Sequence, residues 1–242
     1  IFYHHHNPDI VMFESNAHAG EHDMEVIRTI LELARELNVP RIYTAAALMY
    51  LLIRQRDAIG LSSFDDEIRF HANARSSKVH LQMIYNELRK YLNPKNIGLQ
   101  KKTNTAEVLH QLAEIINKRS LVIIFSDMFT SKDTDSEKLF AALQHLKYNK
   151  HEVIIFHVTD KKFEQEFAFS NRPYKFVDLE TGNILKLNPN EIRETYIERT
   201  QNLVQELTNR SIQYGIDIIE ADINKDFSEV LKPYLIKRAK FF

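Results

Sequence analysis

Leu121–Thr130 reads LVIIFSDMFT, a run of apolar residues, mostly β-branched or aromatic, broken by Ser126 and Asp127. A short continuous apolar run that ends in polar residues predicts a strand buried on both faces. A second such run, His151–Val158 (HEVIIFHV), follows an amphipathic stretch at Ser136–Tyr148. Strand, helix and strand at this spacing predict a crossover connection and therefore parallel pairing. In helix-covered parallel sheets, ligands collect beyond the carboxyl ends of the strands. Asp127 stands at such an end. It has three readings there: a helix N-cap, a general base, or a ligand for a hard cation.

Working outward, the same alternation recurs along the chain. Asp9–Phe13 (DIVMF, with Glu14 at its end) reads as a short strand, and Asp23–Leu37 carries Val26, Ile27, Ile30, Leu31, Ala34 and Leu37 at helical spacing before Pro40 interrupts it. Ile42–Arg54 is apolar nearly all round, as expected of a helix packed between layers. Ala58–Phe64 and Glu67–His71 predict a strand and an edge strand joined at Asp65-Asp66, with helices to follow at Lys78–Leu92 and Thr105–Asn117. Beyond the central strands, FVDLETGNILKL (Phe176–Leu187) reads as a hairpin turning at Thr181-Gly182-Asn183. A long helix at Glu191–Arg210, a strand at Ile216–Glu220 and a helix at Phe227–Lys237 complete the pattern.

Composition narrows the function classes. The 242 residues, 44% hydrophobic, suffice for a sizeable core, and Lys+Arg 32 against Asp+Glu 33 leaves a formal net charge of −1. No global field draws the chain to nucleic acid or to an anionic membrane. The absence of cysteine excludes disulfides, thiolate zinc sites and cysteine nucleophiles. Ile1–Asn7 has neither the basic nor the apolar part of a signal peptide, and no apolar run approaches the ~20 residues that span a bilayer. The expectation is a soluble, cytoplasmic chain. The glycines stand alone, so no phosphate-cradling loop and no G-x-S-x-G nucleophile elbow is present.

Three blocks carry a family resemblance: RQRDAIGLSSFDDEIRF (Arg54–Phe70), TNTAEVLHQLAEIINKRSLVIIFSDMF (Thr103–Phe129) and FVDLETGNILKLNPNEIRETY (Phe176–Tyr196). In this order they resemble the bacterial domain-of-unknown-function 58 family, which is von Willebrand factor A-like, over about residues 43–242. The resemblance implies an α/β, Rossmann-like fold: a mostly parallel sheet with one antiparallel edge strand and helices on both faces. It divides the chain into an atypical segment at 1–40 and an A-like domain at 41–242, one domain overall. Many A domains hold Mg²⁺ on three loops, an Asp-x-Ser-x-Ser loop, a Thr and an Asp, and oxygen ligands of that kind suit a hard cation. Carried over by motif, Asp127 takes the place of the last Asp and Thr103 that of the Thr, with Thr105 beside it. One of these threonines also suits the cap of the helix through Val108 and Leu112.

The first loop departs from that pattern. After DIVMF the nearest equivalent is Glu14-Ser15-Asn16-Ala17-His18, which keeps none of the three ligand types in place. Either this loop is degenerate and the Mg²⁺ site lost, or the amino end has a different origin. That end also holds His18-Ala-Gly-Glu21-His22, an HxxEH spacing, and with His4, His5 and His6 it contains five of the 11 histidines. On a helix this spacing presents two imidazoles beside a glutamate, as inverted zinc peptidases require, although Gly20 interrupts it. His145, His151 and His157, six residues apart, fall on a helix and a strand and read as core or surface residues.

The expected function is therefore a non-enzymatic protein–protein interaction module. The resemblance implies a MoxR-type AAA+ ATPase as partner and a role in assembling or remodelling complexes. The alternative is a zinc-dependent hydrolase built on His18, Glu21 and His22.

Overall fold

A computed structural model describes residues 9–15, 40–54, 57–65, 67–91, 105–117, 119–128, 133–177 and 184–225, together with positions 229–231, 234 and 236. The main sheet has strands β1 (Asp9–Ser15), β2 (Ala58–Phe64), β3 (Ile68–Arg75), β4 (Leu121–Ser126), β5 (Glu152–Thr159) and β8 (Asp217–Asp222), in the order β3-β2-β1-β4-β5-β8. A separate hairpin pairs β6 (Tyr174–Val177) with β7 (Ile184–Leu187). The helices are α1 (Pro40–Arg54), α2 (Lys78–Lys90), α3 (Thr105–Ile115), α4 (Asp133–Tyr148) and α5 (Pro189–Gln213).

β2 and β4 are buried along their whole length and β5 from its second residue, as the apolar runs of β4 and β5 require, while the buried Ser62 and Ser63 hydroxyls of β2 are bonded to His71 and Tyr91. Their side chains divide by the two-residue period of a strand. Leu121, Ile123, Phe125, Ile154, Phe156 and Val158 enter one core with α1, α2 and Val230, Leu231 and Tyr234. Val122, Ile124, Val153 and Ile155 enter a second core with α3, α4 and Leu207 of α5. Helices thus cover both faces, and the chain is α/β and Rossmann-like as the sequence predicts.

Strand direction holds the main correction. β4, β5 and β8 pair in parallel, and β3 is the expected antiparallel edge strand. β1, however, is antiparallel to both of its neighbours, β2 and β4. The segment is the central strand that DIVMF predicts, but it runs against the direction an A-type sheet gives it. An apolar run has the same pattern in either direction, so DIVMF carries no sense of its own. β1 ends at the edge where β2 begins, Ser15 pairing with Ala58.

Other elements follow local rules. Ser77 caps α2 by accepting from the His80 N–H (3.3 Å), and Asn188 caps α5 with Pro189 at its first position. α5 ends where Gly215 takes φ +64°, a conformation that an L side chain resists, and the Gly215 and Ile216 amides donate to the Ile212 and Ser211 carbonyls. After β5 the chain makes a π-helical turn at Lys161–Gln165 that the sequence does not announce. Phe167, Phe169 and Phe176 then form a third, smaller core with Tyr174, Leu187, Ile192 and Tyr196, which seats the hairpin on the first turns of α5. The expected hairpin turn at 181–183 and the expected helix at 23–37 lie outside the described residues.

His151 sits 2% exposed just ahead of β5, accepting the Ser120 N–H at Nδ1 (3.2 Å). Burial is the largest influence on its imidazole and pushes it below the usual value. The unfolded chain therefore takes up this proton first, and stability falls as the pH drops below about 6.5, by up to ~1.4 kcal/mol per pH unit for one proton. Urea midpoints measured between neutral and mildly acidic pH are expected to fall less steeply in His151→Leu than in the parent; equal slopes would contradict the assignment.

Candidate functional site

The carboxyl rim is built from four strands that run the same way. β2, β4, β5 and β8 each end in or directly before an aspartate: Asp65, Asp127, Asp160 and Asp222. The reversed β1 begins on this rim with Asp9, which is paired with Phe64. A strand tip is where the chain leaves the apolar layers, so carboxylates become tolerable there and not one residue earlier.

Asp127 is held by its backbone. The Ser126 hydroxyl is buried at the strand tip and accepts the Met128 N–H at 3.0 Å, closing a tight turn around Asp127. Met128 takes φ +51°, disfavoured for a residue with a Cβ by roughly 1–2 kcal/mol. Burying its side chain in the second core offsets that cost. From β5, buried His157 donates through Nε2 to the Asp127 carbonyl oxygen (2.9 Å). A carbonyl only accepts, so the Nε2 proton is fixed. Asp127, half-buried, is thus fixed on its turn from two directions. It is not the N-cap of the following helix, because α4 begins only at Asp133.

Its neighbours along the rim are locked by amides. Asp160 Oδ1 accepts from the Phe163 N–H (3.2 Å) and from Asn224 Nδ2 (2.9 Å). Asp222 Oδ1 accepts from the Asn224 backbone (3.0 Å) and side chain (3.1 Å) and from the Lys161 N–H. Asn224 therefore ties the end of β5 to the end of β8. Asp65 accepts from Arg69 Nε at 2.7 Å. The sequence reading singled out Asp127 and passed over Asp160, Asp222 and Asn224. The repetition of an apolar strand followed by aspartate, at 159–160 and 221–222, was the available signal.

The other sequence candidates separate. Thr103 lies outside the described residues, as do His4, His5, His6, His18, Glu21 and His22. Thr105 is the buried first residue of α3. Glu14 and Ser15, which open the candidate first loop, pair with Leu121 and Ala58 at the amino ends of β4 and β2. These two residues stand at the opposite edge of the sheet from Asp127. Among the described residues, no group of three His, Cys, Asp or Glu side chains converges as a metal site.

Residues 33–206 match the family described as "Protein of unknown function DUF58". The chain belongs to the DUF58 family. The match starts ahead of the Tyr43 boundary read from the sequence and ends before the carboxyl terminus, enclosing all three blocks that carry the resemblance. No curated protein and no solved structure matches the chain. Among the described residues of this DUF58 protein, no helix is long and apolar enough to cross a membrane.

Proposed function

We propose that this DUF58 chain is a non-enzymatic protein–protein interaction module that presents the carboxyl rim around Asp127 to a protein partner. The reading rests most on one observation: the Ser126–Met128 turn, pinned by His157, holds the main chain of half-buried Asp127 in one position at the centre of a polar rim. A charge carried on a fixed turn, flanked by polar groups whose hydrogen bonds are already made, suits recognition, because docking then orders little of the main chain that was not ordered before. The partner is a MoxR-type AAA+ ATPase, and the process is assembly or remodelling of complexes; both come from the family resemblance. The Mg²⁺-dependent adhesion site is degenerate or absent, which the position of Glu14 and Ser15 at the far edge supports.

Sedimentation of the purified chain with a MoxR-type ATPase from the same source tests this. A complex is expected, weakened by Asp127→Ala and not by Glu152→Ala at the amino edge. No complex, or one indifferent to the rim, overturns the reading. Peptide hydrolysis that requires zinc and is abolished by His22→Ala would put the zinc hydrolase in its place.

A further inference from the structure

His110 of α3 and His145 of α4 meet across the interface of their helices, with Nδ1 atoms 3.1 Å apart and rings 5.3 Å between centroids. On its other side, His145 Nε2 lies 2.8 Å from Oε1 of Glu114, one turn further along α3. A carboxylate only accepts, so it holds the proton of the neutral His145 ring on Nε2 and leaves the Nδ1 lone pair facing His110. Metal-binding histidines are prepared in this way, one nitrogen oriented by a carboxylate and the other presented as a donor. In the metal-free chain the His110 Nδ1–H occupies the place a cation would take.

We propose that His110 and His145 form a two-imidazole site for a divalent transition-metal ion of the zinc class, which staples α3 to α4. At metal–nitrogen lengths of about 2.0–2.1 Å, a 3.1 Å separation corresponds to an N–metal–N angle of roughly 100°, between the octahedral and tetrahedral values. The two nitrogens need only small movement to share an ion. His110 must shift its proton from Nδ1 to Nε2, which water can accomplish with no net release. Imidazole nitrogen favours zinc, copper and nickel, whereas Mg²⁺ and Ca²⁺ favour oxygen, so the site is chemically distinct from anything the aspartate rim would hold. No third protein ligand converges among the described residues, and water completes the coordination. Glu114 is 70% exposed and the His145 side chain 26%, so an ion reaches the pair from solvent.

The position is remote from Asp127. α4 ends at Tyr148, just ahead of β5, so His145 lies toward the amino end of the sheet. The staple joins the helices on either side of β4 in sequence, and Asn149 already bridges them by donating to the Ala113 carbonyl (2.7 Å). Failure of the zinc site therefore leaves the rim proposal untouched.

The test is titration of Zn²⁺ alone into the full cysteine-free chain, followed by calorimetry and thermal unfolding, with Mg²⁺ as control. The expected result is one site per chain and a Tm raised by roughly 5 °C or more at a hundredfold excess over Kd. Both are lost in His110→Ala and in His145→Ala and kept when His4, His5, His6, His18 and His22 are all replaced by alanine. Glu114→Gln lowers affinity about tenfold or more. Metal-free Tm values of the variants within a few degrees of the parent establish that the fold survives. Absence of zinc binding, binding indifferent to His110 and His145, or binding lost only with the amino-terminal histidines overturns the proposal.

Discussion

Phe156→Ala is expected to cost about 3–5 kcal/mol of folding stability, the range for emptying a large aromatic site in a packed core. Phe156 is fully buried on β5, stacks on Phe125 of β4 at 4.9 Å between centroids and meets Tyr234 edge-on at 6.2 Å. The pair joins neighbouring parallel strands, and the helices that cover this face pack against the same cluster. Collapse cannot fill the space cheaply, because β4 and β5 are fixed by their ladder and the opposite face is occupied by the second core. A folded domain holds only about 5–15 kcal/mol in total, so the variant loses a large share of it. Urea unfolding at constant slope measures the loss. Phe163→Ala, at 36% exposure, is the comparator and is expected to cost below ~1 kcal/mol. A loss below ~1 kcal/mol for Phe156→Ala would contradict the position assigned to β5.

Asp127→Ala is expected to weaken partner association by roughly tenfold to a hundredfold while leaving the fold intact, since truncating one member of a desolvated charge pair costs about 2–5 kcal/mol and a rim charge less. Asp127, half-buried, falls between those cases. The turn itself stays held in the variant, because the Ser126 hydroxyl bonds the Met128 amide and His157 bonds the main-chain carbonyl. Asp127→Asn separates charge from shape and is expected to lose most of the affinity. His157→Leu acts differently: it orphans the Asp127 carbonyl, costs about 1–3 kcal/mol of stability and lowers affinity by loosening the turn. Binding unchanged in both Asp127 variants, measured by titration calorimetry against the partner, would remove the rim from the account.

Much of this architecture could be read from residues alone, for identifiable reasons. β4 and β5 are buried on both faces, so their sequences open on unbroken apolar runs, and α2 and α3 show strong helical periodicity because each buries a single stripe. The antiparallel edge of β3 followed from the turn at Asp65-Asp66. Direction was legible only where a tight turn or a short crossover dictated it, as between β2 and β3 and between β4 and β5. DIVMF has the same pattern read either way, so a strand of the right type was placed with the wrong sense. That error carried into the site, because it set Glu14 and Ser15 beside Asp127 when they belong at the other edge. The His110–His145 contact was hidden for another reason: the two residues lie on different helices, and no spacing along one element joins them. His157 was read as a core or surface residue and is buried, but its hold on the Asp127 carbonyl depends on the register that pairs it with Ser126.

The orientation of β1 decides which groups share the rim with Asp127, and backbone nuclear Overhauser contacts measure it directly. The account predicts close Hα–Hα contacts at alternate pairs of one register, Ile10 with Phe125, Met12 with Ile123 and Glu14 with Leu121, or the intervening Val11–Ile124 and Phe13–Val122 pairs. Contacts whose order rises together along both strands, placing Glu14 beside Ser126, would contradict it and restore the first loop to the Asp127 rim.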